Sequence, residues 1–148
     1  MATRGLPNWP WNGAAPEDLP DAEAVLLDAT RAWVEATRSG LAPLTALRLP
    51  LVTEGIGEAA PPLEALLRAL ACPGSMGCRL CPRITPAEGR LLMGLGLAQR
   101  ATRREALASF LQLAPPAAAY AAVGPALSIG MVLRRAGLLL ANPLRATS

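Results

Sequence analysis

The stretch from Asp21 to Arg38 reads DAEAVLLDATRAWVEATR. Ala22, Val25, Leu26, Ala29, Trp33 and Ala36 recur at spacings of three and four, the period of one buried helix face. Asp28, Arg31 and Glu35 fall on the other side, at i, i+3 and i+7. Pro20 precedes the run, and Asp21 and Glu23 occupy the first turn, where the helix dipole favours acids. Arg38 closes it and Gly40 supplies the stop. The pattern predicts a helix over 21–38, and the same period organises the rest of the chain.

Residues 43 to about 52 read as a shorter helix with Leu44, Leu47 and Leu51 inward, its end blurred by Pro50. Gly55-Ile56-Gly57 reads as a loop. Pro61-Pro62 opens a helix to about Cys72, with Leu63, Leu66, Leu67 and Leu70 inward and Arg68 outward. Thr85-Pro86-Ala87-Glu88 is a helix start. Thr85 can cap, proline fits the first turn, and Glu88 can reach back to complete a capping box. That helix runs to about Arg100 with Leu91, Leu92, Leu95 and Ala98 inward. Gly89, Gly94 and Gly96 each cost about 1 kcal/mol against alanine in a helix interior, which close helix–helix approach would offset. Arg103 to Leu113 reads as a further helix burying Ala106, Leu107, Phe110 and Leu111. Pro115-Pro116 starts an alanine-rich helix that Gly124-Pro125 is expected to break or kink. A last helix then runs to about residue 135, with Gly137 as its cap.

No strand alternation and no internal repeat interrupts this reading. The fold class is all-α, a compact single-domain bundle of five to seven short helices. An irregular Pro/Trp-containing arm spans residues 1–19, the helical domain 20–137 and a tail 138–148. Trp9 and Trp11 in the arm are large apolar anchors. They pack either onto the chain's own body or onto a second copy in an arm-exchanged dimer.

The 148 residues suffice for one domain with a real core. Apolar residues make up 52% and charged residues 17%. Alanine (30) and leucine (27) dominate, and the aromatics are three Trp, one Tyr and one Phe. This composition excludes a polar disordered chain and argues against a β-sandwich. His and Lys are both absent. Ser-His-Asp and Cys-His devices, His-ligated metals, Schiff-base lysines and Walker-type loops are therefore excluded. Gly94-x-Gly96 has no strand before it and does not read as a nucleotide loop. No carboxylate pair stands out as acid and base, so the reading leans away from an enzyme and implies no cofactor.

Charge is unevenly distributed. Residues 1–64 hold four Arg against nine acids, net −5, and residues 65–148 hold ten Arg against Glu88 and Glu105, net +8. Such a dipole can steer an anionic partner or orient two copies head to tail. Arg79, Arg83, Arg90, Arg100, Arg103 and Arg104 form the candidate partner or anion surface. The stretch has no aromatic residue to stack bases, so nucleic acid is a secondary expectation. The plainer reading is a solvated basic face.

Cys72, Cys78 and Cys81 form Cys-x5-Cys-x2-Cys. The Cys-x2-Cys part is half of a zinc site, and completing it requires a carboxylate such as Glu88 or a subunit partner. Neighbouring Arg79 and Arg83 would favour a redox-active thiolate. The plainer reading is small buried apolar side chains in a loop. Residues 113–133 form an uncharged run long enough on paper to span a bilayer. Its prolines, glycines and alanines read instead as a soluble core helix. With no secretory leader and three Cys, the expected compartment is the cytoplasm with reduced thiols.

Cys81-Pro82-Arg83-Ile84-Thr85-x-x-Glu88, followed by Leu91-Leu92, resembles a segment of small uncharacterised helical proteins of GC-rich bacteria. Those proteins carry a Cys-Pro-Arg-(Met/Ile)-Thr-x-x-Glu turn between two Leu-rich helices. The similarity covers about residues 60–113 and departs at Leu80, where another Cys is expected. It implies a small cytoplasmic all-α protein and no particular activity. The combined expectation is a non-catalytic helical interaction or regulatory module acting as a homodimer. The alternatives are binding of nucleic acid or another anionic partner through residues 79–104, and a thiol-redox or metal protein using the three cysteines.

Overall fold

The computed structural model describes Trp11, residues 13–70, residues 76–77 and residues 80–141. Six α-helices and no strand occur among the described residues: α1 (Asp21–Ser39), α2 (Pro43–Thr53), α3 (Ala60–Leu70), α4 (Pro86–Arg100), α5 (Arg103–Phe110) and α6 (Pro116–Arg135). The all-α, single-domain expectation holds. Cys72, Cys78, Arg79 and Trp9 lie outside the described residues.

The helix ends follow local chemistry. Gly40 takes φ +71°, and the next amide, Leu41 N–H, bonds back to the Ala36 carbonyl at 2.9 Å. This left-handed cap closes α1. Thr85 Oγ1 accepts from Glu88 N–H at 3.1 Å while Glu88 Oε1 accepts from Thr85 N–H at 2.9 Å. The expected capping box is therefore complete. Thr102 caps α5 through Glu105 N–H at 3.1 Å.

α1 and α4 are the most enclosed helices. α2 packs along α1, α5 and α6 pack against α4, and α3 lies against α6. A 3-10 turn, Gly57–Ala59, touches both α2 and α6. One core runs through all six helices, with Leu26, Leu47, Leu63, Leu66, Leu91, Leu95, Phe110 and Ile129 at its centre. Gly94 shows why α4 tolerates glycine. A Cβ there would lie 2.5 Å from Phe110 Cε1, so α5 can seat its phenyl ring only against a bare backbone. The arm is tied to the same body: Trp11 packs against the core, and Ile84 N–H donates to the Ala14 carbonyl at 2.9 Å.

Four expectations need correction. Gly124-Pro125 does not break the last helix, because α6 is continuous from Pro116 to Arg135. Pro125 frees the Ala121 carbonyl, and Ala121 is exposed, so water can satisfy it. α5 ends at Phe110 rather than Leu113, in a turn ahead of Pro115-Pro116, and leaves Leu111 exposed. In α2 only Leu47 and Leu51 are buried, and Leu44 sits at the surface. Arg31, expected on the outer side of α1, is only 3% exposed, because the loop before α4 covers it.

Candidate functional site

The loop before α4 is organised by one ion pair. Arg31 on α1 donates from Nε to Glu88 Oε2 at 2.8 Å and from Nη2 to Glu88 Oε1 at 2.9 Å. Its Nη1 reaches the Cys81 carbonyl at 3.1 Å and Nη2 the Arg83 carbonyl at 3.0 Å. Glu88 Oε2 also accepts from Gly77 N–H at 2.8 Å. Each carboxylate oxygen thus accepts two hydrogen bonds. Burial pushes the Glu88 carboxyl up, but the Arg31 guanidinium and the Thr85 and Gly77 amides outweigh it and hold it below 4.5. A carboxylate saturated in this way positions a loop and has no lone pair left for proton transfer. Sequence reasoning found the cap on Glu88 but not its partner, which lies 57 residues away.

Cys81 is half-buried, and its carbonyl serves the Arg31 clamp. A Cβ on Gly77 would meet Cys81 Sγ at 3.2 Å, so the loop is tightly folded on the thiol. Among the described residues no group of three His, Cys, Asp or Glu side chains could hold a metal ion. Cys72 and Cys78 lie outside that statement.

The described members of the expected arginine surface, Arg83, Arg90, Arg100, Arg103 and Arg104, are spread from the start of α4 to the start of α5. Arg83 sits before the start of α4 and Arg100 at its end, with the helix between them about 21 Å long by its rise. Arg83 donates to the Gly13 carbonyl at 3.0 Å and so ties down the arm. Arg90 bonds the Gln112 side chain at 3.1 Å. Arg100, Arg103 and Arg104 cluster instead at the C-terminal end of α4 and the start of α5. Arg134 on α6 joins that end by donating to the Gln99 carbonyl at 2.8 Å, the favoured place for a cation on the helix dipole. Tyr120, 66% exposed, shares a shallow depression with Arg103, Arg104, Leu107 and Val123. The aromatic missing from the linear stretch is thus supplied by α6.

Two helices expose apolar stripes. On α6 the solvent side carries Ala117, Tyr120, Ala121, Gly124, Ser128 and Met131, and Met131 is 55% exposed. By length and composition α6 could also cross a membrane, and 39% of its apolar window is buried within the protein. Around α2, Leu41, Leu49 and Val52 are exposed, with Glu54 and Glu58 just beyond.

No family model matches the chain, and neither the curated proteins nor the solved structures give a match.

Proposed function

We propose that the chain is a non-catalytic helical interaction module that works as a pair of identical copies in the cytoplasm. The exposed face of α6 carries this reading. A helix at a protein surface ordinarily turns charged and polar residues to water. From Ala117 to Met131, about 21 Å of helix by the rise per residue, α6 offers small and apolar side chains instead. Small residues let another helix approach closely, and Tyr120 and Met131 supply contact area.

A second copy suits this face because of charge. Arg103 and Arg104 lie beside Tyr120, and Arg134 and Arg135 end the helix. The α2 stripe is bordered by Glu54 and Glu58, which outnumber the exposed Arg48 beside Val52. A twofold pairing that lays α6 of each copy on α2 of the other covers both stripes and sets basic flanks against acidic ones. One helix stripe alone falls short of the roughly 800 Å² per partner of a stable interface, and two reciprocal contacts approach it.

Ser128 gives the sharpest test. It is exposed on the outer side of α6, one turn beyond the bare backbone of Gly124 and past Pro125, so Ser128→Leu fits the isolated chain. In a close helix pair it would intrude. Sedimentation or native mass spectrometry should find a dimer for the wild type and at least tenfold weaker association for the variant. A wild-type chain that stays monomeric at high micromolar concentration removes the reading.

Tyr120 beside Arg103 and Arg104 favours a second reading, binding of an anionic partner at that end of the molecule. Its mark is steep salt dependence, and no binding to single- or double-stranded nucleic acid at about 50 mM salt excludes that class of partner.

A further inference from the structure

After α6 the chain turns at Gly137, φ +80°, and residues 138–141 run without helix across the C-terminal end of α4. The backbone of this segment is held by side chains. Gln99 Nε2 donates to the Leu138 carbonyl at 3.1 Å, and Gln99 Oε1 accepts from Leu140 N–H at 2.7 Å. One amide thus bonds the residues on either side of Leu139, as a residue of a neighbouring parallel strand does. Arg100 Nε donates to the Leu140 carbonyl. Glu23 Oε2, from the first turn of α1, accepts from Ala141 N–H at 2.6 Å. Gln99 is itself anchored, since Nε2 also donates to the Gly130 carbonyl at 3.1 Å.

The side chains of the segment divide sharply. Leu140 is fully buried, Leu138 packs against the core, and Leu139 points to solvent. A further acceptor is in place: Glu23 Oε1 is buried and has no hydrogen-bond partner among the described residues.

We propose that Glu23, Gln99 and Arg100 form a receptor groove for an extended, uncharged peptide with leucine at its buried third position, filled here in cis by residues 138–141. Three features carry this. The hydrogen bonds read main-chain atoms, as in strand-addition modes of peptide recognition, so they do not depend on which peptide is present. Selectivity comes from the one buried leucine, with tolerance at the position of Leu139. The glutamate and arginine each bond a main-chain atom, so no charge is required of the ligand. The groove is separate from the α2 and α6 stripes, and this proposal stands without the pairing proposed above. A tethered tail competes at high effective concentration, so an outside peptide binds weakly until the tail leaves.

The test uses the full chain and a fluorescent peptide, blocked at both ends, with the sequence of residues 137–144, Gly-Leu-Leu-Leu-Ala-Asn-Pro-Leu. Leu140→Asp should expel the tail and tighten peptide binding at least tenfold over wild type. Adding Gln99→Ala should abolish the gain. If native mass spectrometry shows the Leu140→Asp variant capturing a wild-type chain, a second copy's tail can fill the groove, and the proposal is supported. A folded Leu140→Asp variant that fails to bind the peptide, or that binds it equally well with Gln99→Ala, overturns the proposal. Hydrogen exchange on the wild type supplies a readout free of variants. The Leu140 and Ala141 amides should exchange at least tenfold faster than the buried Leu95 amide, through local release of the tail. Exchange at the same rate as Leu95, by global opening only, overturns it.

Discussion

Arg31 and Glu88, 57 positions apart, meet in a two-point ion pair at 2.8 and 2.9 Å that joins α1 to the first turn of α4. The guanidinium is 3% exposed and the carboxylate 0%. A pair so far from water adds little against an apolar substitute of similar shape, but removing one partner strands the other charge. Arg31→Met is therefore expected to cost about 3–5 kcal/mol. Arg31→Met with Glu88→Gln should recover part of that loss, because the amide has no charge to strand. Urea unfolding of the three chains measures this, and equal stabilities for the wild type and Arg31→Met would refute it.

Two buried glutamates should give stability opposite slopes with pH. Burial pushes the Glu88 carboxyl up, but Arg31 and two backbone amides pull it down further, so its folded value lies below 4.5. Its contribution is present above pH 4.5 and is lost as pH falls through the depressed value. For Glu23, burial outweighs the Ala141 amide and the Arg100 charge, so its folded value lies above 4.5. Its contribution is complete below pH 4.5 and is lost as pH rises through the raised value. Melting temperatures across the acid and neutral range should show both arms. Glu23→Gln should flatten the arm above 4.5 and leave the acid arm in place. An unchanged profile in that variant contradicts the assignment.

Gly94→Ala tests the close packing of α4 on α5. Alanine improves helix propensity by about 1 kcal/mol. Its Cβ, however, would sit 2.5 Å from a ring carbon of the fully buried Phe110. The clash is expected to win, with a net loss of about 1–3 kcal/mol. Phe110→Leu in the same chain should reduce the penalty of the alanine, a coupling that a double-mutant cycle reads directly. Additive losses would show that the ring moves aside freely.

Thr85→Ala removes half of the capping box and exposes the role of its other half. The loss from the cap alone should be about 1 kcal/mol. Glu88 remains held by Arg31 and Gly77, so α4 should keep its first turn. Amide exchange at Ala87 and Glu88 checks this, and fraying beyond the first turn would contradict it.

Much of this architecture was legible in the chain itself. The face of α1 from Ala22 to Ala36, the start of α4 at Thr85 and the left-handed stop at Gly40 all rest on interactions within a few residues. Gly94 of α4 announced close packing, although not that Phe110 would be the neighbour. The candidate surfaces were less legible. The five described arginines of that stretch fall before α4 (Arg83), on it (Arg90 and Arg100) and at the start of α5 (Arg103 and Arg104), because a helix spreads its residues over its length and all its faces. The basic end that does form takes Arg134 from α6, more than thirty residues beyond Arg100.

Helices, caps and the alanine- and leucine-rich core were determined by the sequence alone, because hydrophobic period and capping act over three to four residues. The tertiary structure decided the rest. It buried Arg31 by bringing Glu88 to it, and it continued α6 past Pro125, which frees the carbonyl of the exposed Ala121. It also tied the backbone of residues 138–141 to the side chains of Glu23, Gln99 and Arg100. Each of these depends on groups distant in sequence or on which side of a helix meets solvent, and local pattern carries neither.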